Sequence, residues 1–197
     1  NQLIQLSKHC DSRMKDIEII HTYLNGQSPV CFKLLYNRYA GKVYSKCISL
    51  LKNEALAHDA TQEIFTKIFL NLSKFAERAK FSTWVYSITY NYCIDYIRRQ
   101  KKHMNLFVDD IERAPDLPEE EVRDEELLSM NLHQLKTVLE EIPLGDKAIL
   151  LMKYQDEMSI KEIAAILDKT ESAIKMRLKR AKAKAQQVRT QLFQEVH

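Results

Sequence analysis

The chain has 197 residues, 45% of them hydrophobic, with a formal net charge of +3. That supplies apolar material for one large or two small cores. Three glycines and four prolines argue against an all-β fold and for helices. No signal peptide and no apolar run long enough to span a bilayer is present, which excludes membrane insertion and implies a cytoplasmic protein. The net charge is modest, so its distribution along the chain carries more information than its sum.

Residues 1–14 form a polar leader without clear pattern, and a first residue other than Met implies a processed or trimmed start. Ile17, Ile20, Tyr23 and Leu24 recur at threes and fours, predicting a short helix over 15–24 that stops near Gly26. Ser28 and Pro29 then read as a helix start, with Ser as cap and Pro in the first turn. Phe32, Leu35, Tyr36, Tyr39, Val43 and Cys47 carry that helix to Leu51. Asn53 is a cap for a helix over 54–72 with Leu56, Ile64, Phe65, Ile68, Phe69 and Leu72 as its apolar face. After a polar, partly basic loop over 73–80, Ser82 reads as the cap of a helix over 83–102. Its basic end, Arg98, Arg99, Lys101 and Lys102, complements the helix dipole and also suits phosphates.

The character changes over 105–126, where Pro115, Pro118 and ten acidic residues against two basic ones mark a linker. Beyond it, Leu127, Leu128, Leu132, Leu135, Val138, Leu139 and Ile142 predict one amphipathic helix ended by Pro143, and Ala148, Leu151, Met152 and Tyr154 line another. The fold class expected is therefore all-α: two small helical domains, 15–104 and 127–197, joined by an acidic tether.

The most informative stretch is 156–184. Ser159 and Glu162 make a capping box ahead of Ile160, Ile163, Ala164 and Leu167. Asp168 stands where the chain must turn, since Asp tolerates left-handed backbone. Thr170 is the natural N-cap of a second helix, on which Ile174, Leu178 and Ala181 face inward while Lys175, Arg177, Lys179, Arg180, Lys182 and Lys184 face outward. A solvated helix closing a bundle accounts for this pattern; a recognition helix in a DNA major groove accounts also for its charge. The second unusual stretch is 81–103, with Phe81, Trp84, Tyr86, Tyr90, Tyr92 and Tyr96 beside the basic end. Rings next to cations suit single-stranded nucleic acid, because bases stack and phosphates pair. Aromatics at helical spacing are also core residues, and at least half of the six are assigned to packing, Trp84 and Tyr92 first.

Cys10, Cys31, Cys47 and Cys93 are scattered without a CxxC pair, which fits reduced thiols. His9 with Cys10 supplies only two ligands, so no metal site is expected. No glycine-rich phosphate loop and no nucleophile–base pattern supports an enzyme, and no cofactor is implied.

Three blocks resemble one family. Asp59, Gln62, Glu63 and Phe65 follow the order D-x-x-Q-E-x-F. Phe81, Trp84, Ile88, Asn91, Asp95, Arg98 and Arg99 resemble F-x-x-W-L-x-x-I-A-R-N-x-x-x-D-x-x-R-R. Residues 159–181 resemble the family's final helix-turn-helix. In that order, with a linker between the second and third, they resemble a group-four, extracytoplasmic-function sigma factor of bacterial RNA polymerase. Thr89 and Tyr90 depart from the usual Ala-Arg, Asp168 from the usual Gly, and Ala173 and Met176 from the frequent Thr and Ser.

The resemblance implies that Asp59, Gln62, Glu63, Phe65 and Lys67 dock on core RNA polymerase. It implies that Ser73, Lys74, Phe75, Arg78, Lys80, Asn91, Arg98, Arg99 and Lys102 bind the minus-ten promoter strand. Asp95 is alternatively structural, holding a neighbouring arginine. It implies further that Thr170, Lys175, Met176, Arg177, Lys179, Arg180, Lys182 and Lys184 bind the minus-thirty-five element. Lys175, Met176, Arg177 and Arg180 are the groove candidates; Lys179, Lys182 and Lys184 are assigned to phosphates. Asp109, Asp110, Glu112, Asp116, Glu119, Glu120 and Glu121 would thread towards the polymerase active centre, unless they are simply a solvated tether or mask the basic helices in the free chain. Partners implied are core RNA polymerase, promoter DNA and an anti-sigma factor. The competing expectation is a stand-alone helix-turn-helix regulator with a helical sensor domain.

Overall fold

The computed structural model describes residues 10–26, 28–103 and 122–193, and every regular element among them is helical. Residues 1–9 of the leader, His9 among them, and the seven acids Asp109 to Glu121 lie outside the described residues. The chain divides into two compact units, Asn1–Tyr96 and Ile97–His197.

In the first unit α1 (Asp16–Gly26) packs on α2 (Pro29–Leu51), and α2 on α3 (Glu54–Asn71). Ile19, Ile20, Leu35, Val43, Ile64 and Ile68 fill the core, each removed almost completely from water. Ser28 occupies the cap position of α2 in extended backbone, but its hydroxyl makes no capping bond. Asn53 does cap α3, accepting from the Leu56 N–H at 2.9 Å. A single 3₁₀ turn, Leu72–Lys74, ends α3. Helix α4 (Phe81–His103) begins earlier than periodicity suggested: the Trp84 N–H already donates to the Lys80 carbonyl. Ser82 therefore sits inside the first turn and is not its cap. Burying Phe81 against Tyr39, with ring centroids 5.4 Å apart, pulls the helix start to that residue.

The core rings of α4 differ from those expected. Phe81 and Tyr90 are the buried rings, whereas Trp84 and Tyr92 are only partly covered. Thr89 and Tyr90, two of the five departures from the family pattern, are both fully buried. An apolar ring there replaces a cation that could not be buried without a partner.

The cysteines are not all free thiols. Cys10 and Cys31 form a disulfide that ties the end of the leader to the first turn of α2, so Cys10 offers no thiolate to a metal. Cys47 and Cys93 are free and buried with sulfurs 3.7 Å apart. Sequence spacing cannot report a pairing made by tertiary proximity.

In the second unit the predicted single helix over 127–142 is two: α5 (Asp124–Leu128) and α6 (Leu132–Glu141). Asn131 breaks it by accepting from the Gln134 N–H at 2.9 Å, while the Gln134 side chain returns a bond to the Asn131 N–H. That reciprocal box satisfies two orphan amides and starts a new helix. Leu128, Leu132 and Leu135 consequently face solvent. Helix α7 (Leu144–Leu150) runs into a π-helical turn, Leu151–Gln155. Then come α8 (Ile160–Leu167) and α9 (Glu171–Phe193). Val138, Ile149, Met152, Ile163, Ile174 and Ala181 form the core between them.

Candidate nucleic-acid interface

The corner between α8 and α9 is built from local chemistry. The Ser159 hydroxyl accepts from the Glu162 N–H at 3.2 Å, and Glu162 Oε2 takes the Ser159 N–H at 3.0 Å. Asp168 is left-handed, φ 52, and its N–H closes α8 on the Ala164 carbonyl. Thr170 Oγ1 then accepts from the Ala173 N–H at 3.1 Å and opens α9. Ile174, Leu178, Ala181 and Ala185 seat α9 on the core. Its 23 residues extend about 35 Å at 1.5 Å per residue, ample for a helix in a major groove.

Its basic residues do not all face outward. Lys175 and Lys184 are exposed, and Met176, Lys179 and Arg180 are half-exposed on the outer side. Lys182 is buried, with its Nζ 3.0 Å from Asp124 Oδ1, and Tyr154 Oη donates to that same oxygen at 2.7 Å. Standing four residues after Leu178, it belongs to the inward face and not, as expected, to the outward one. Arg177 leans onto α7, its guanidinium over Gly145 and its Nε 3.9 Å from Asp146 Oδ1. Arg180 Nε is buried and makes no hydrogen bond among the described residues.

In the first unit Asp59, Gln62, Glu63 and Lys67 line one exposed stripe of α3. Phe65 lies beneath it, buried and packed on Tyr36 at 4.6 Å between ring centroids. The Lys67 ammonium sits 4.8 Å over the Tyr92 ring, joining that stripe to α4. Asn91, Asp95, Arg98 and Arg99 make a second exposed stripe, on α4. Lys102 lies in its last turn, its side chain outside the description. Ser73, Lys74, Arg78 and Lys80 are exposed around the turn before α4. Phe75 is half-buried there, 5.4 Å from both Phe81 and Trp84. Sequence reasoning missed Arg38, which donates to Asp16 Oδ1 at 2.7 Å and to the Ser12 and Met14 carbonyls at 2.6 Å each. It also missed the His21–Glu77 pair, joined at 2.5 Å across 56 residues; no local pattern signals either.

A capped helix, a left-handed corner and a long basic helix define a helix-turn-helix protein, here with a second helical unit bearing rings and cations. Residues 35–103 match the family described as sigma-70 region 2, and residues 132–184 that described as sigma-70, region 4. The ECF RNA polymerase sigma factor SigW of Bacillus subtilis (strain 168) is 32% identical over 155 residues, covering 73% of this chain and 81% of that one. Two solved structures share the fold. One is CnrH in complex with the cytosolic domain of CnrY, with TM-score 0.62, 20% identity and 90% and 97% coverage of this chain and that one. The other is the sigma factor RpoE of Bartonella quintana in complex with the anti-sigma factor NepR, with TM-score 0.60, 18% identity and 82% and 98% coverage. The chain belongs to the extracytoplasmic-function sigma factors of RNA polymerase, and its function is to direct promoter recognition. A stand-alone regulator would leave the region 2 match without a role. No helix among the described residues is long and apolar enough to cross a membrane.

Proposed function

We propose that the two units grip one promoter at separate places while core polymerase supplies the catalysis. The α3 stripe of Asp59, Gln62, Glu63 and Lys67, backed by Phe65, docks on the polymerase. Ser73, Lys74, Phe75, Arg78 and Lys80 with Asn91, Arg98, Arg99 and Lys102 hold the opened minus-ten strand. The outer face of α9, with Lys175, Met176, Lys179 and Arg180, reads the minus-thirty-five duplex. Lys184 meets phosphate, and Thr170 sets the entry of the helix. Arg177 reaches a base only by leaving Asp146. The observation that carries this reading is the doubly capped corner at Asp168 feeding a long helix whose Lys175, Lys179 and Lys184 lie away from its buried face.

Magnitudes assign the rest to the polymerase. Opening about a turn of duplex costs on the order of 1.4 kcal/mol per step, roughly 10 kcal/mol or more in all. Stacking returns about 1–3 kcal/mol per base, so one or two captured bases cannot hold a bubble. The chain itself contributes no catalytic group, and it works where the polymerase is. An anti-sigma factor is a further partner, as one is for the RpoE of Bartonella quintana with the same fold. Run-off transcription with purified chain and core polymerase on a genomic library tests the reading. Discrete start sites dependent on the chain support it, and their absence ends it.

A further inference from the structure

Arg177 stands at the edge of α9, one residue before the buried Leu178, and its side chain is 40% exposed. Its guanidinium lies on the first turn of α7, where two residues make a seat for it. Nε stands 3.9 Å from Asp146 Oδ1. Nη2 fills the space beside the Gly145 Cα: a Cβ built there would collide with Nη2 and stand 3.1 Å from Cζ. The Gly145 backbone is not left-handed, so the turn itself does not require glycine. The guanidinium does. The seat is also shallow. The ion pair is long and half exposed, and the first turn of a helix carries partial positive charge that opposes a cation.

We propose that Gly145 and Asp146 are positioning residues that hold Arg177 off the duplex and so limit how tightly α9 grips the minus-thirty-five element. The proposal rests on the reading of α9 as the helix that enters that groove. A DNA acceptor must draw Arg177 away from Asp146, so the free energy of the seat is subtracted from each contact Arg177 makes. A guanine edge takes the guanidinium bidentately and outweighs the seat. A single phosphate offers the guanidinium no more than the Asp146 carboxylate does, and on duplex lacking the element Arg177 stays seated. Emptying the seat therefore tightens binding, the reverse of what losing a merely structural contact would do.

The test uses holoenzyme assembled from full chain and core polymerase. Filter-binding titrations compare a promoter duplex with the same duplex carrying a scrambled minus-thirty-five element. Gly145→Ala expels the guanidinium without a change of charge. The flexible end of Arg177 gives way and alanine is the better helix former, so the unfolding midpoint does not fall. Asp146→Asn removes the carboxylate. Each tightens promoter binding about two- to five-fold, the range of an exposed pair. The gain on the scrambled duplex is smaller, and it steepens the salt slope by about one unit as the freed cation meets a phosphate. In an Arg177→Ala background neither substitution has an effect. Gains that persist without Arg177 would come from weaker repulsion between the turn and DNA, and they overturn the proposal. If Arg180→Ala and Lys184→Ala alter binding while Gly145→Ala and Asp146→Asn do not, the seat falls and the groove reading survives. If all four are silent, both fall.

Discussion

Lys182 separates a folding role from a binding role more sharply than any other residue on α9. Its side chain is 9% exposed, and its partner Asp124 on α5 is 47% exposed. Breaking a fully buried pair costs about 3–5 kcal/mol. A fully exposed pair contributes about 0–1 kcal/mol. With one end buried and the other half in water, Lys182→Met loses about 1–2 kcal/mol, the methionine retaining the packing of the alkyl stem. Tyr154 and then Lys182 hold the Asp124 carboxyl below the usual carboxylate range by hydrogen bonding. The folded pKa is depressed, so this contribution is fully present above the unfolded value of about 3.9. It is lost as pH falls through the folded value. Urea unfolding of the full chain from pH 7 down to pH 3 measures this. The native chain loses the increment below about pH 4, Asp124→Asn lacks it throughout, and Lys182→Met keeps the share that Tyr154 supplies. An unchanged midpoint in Lys182→Met, with promoter affinity lost as in Lys184→Ala, would refute the reasoning.

Reduction of the Cys10–Cys31 disulfide, which spans 21 residues, destabilises the first unit by about 3 kcal/mol on the chain-entropy model. The check is a lower urea midpoint with dithiothreitol that Cys10→Ser reproduces without reductant. Leu178→Ala, at a position 6% exposed, costs about 2–5 kcal/mol and unseats α9, read by thermal unfolding. Arg180→Ala relaxes minus-thirty-five preference, each lost base contact costing about 1–3 kcal/mol. Lys184→Ala weakens all duplexes alike and reduces the salt slope by about one unit, both read in filter-binding titrations of the holoenzyme.

The amino-acid order by itself determined the helical fold class, the capping box at Ser159, the corner at Asp168 and the cap at Thr170. Those signals act within four residues, where backbone amides and side-chain oxygens meet regardless of the rest of the chain. The residues of the exposed stripes on α3 and α4 were singled out by the family resemblance, and the structure shows them exposed. Periodicity could also have placed Lys182 inward beside Leu178, but its charge argued otherwise until Asp124 was seen beneath it. Tertiary structure alone decided that two cysteines 21 residues apart are bonded. It alone decided that Phe81 and Tyr90 are core while Trp84 is not, and that His21 reaches Glu77. Each depends on which helices meet and at what depth. That is set by the packing of whole faces, and no local pattern encodes it.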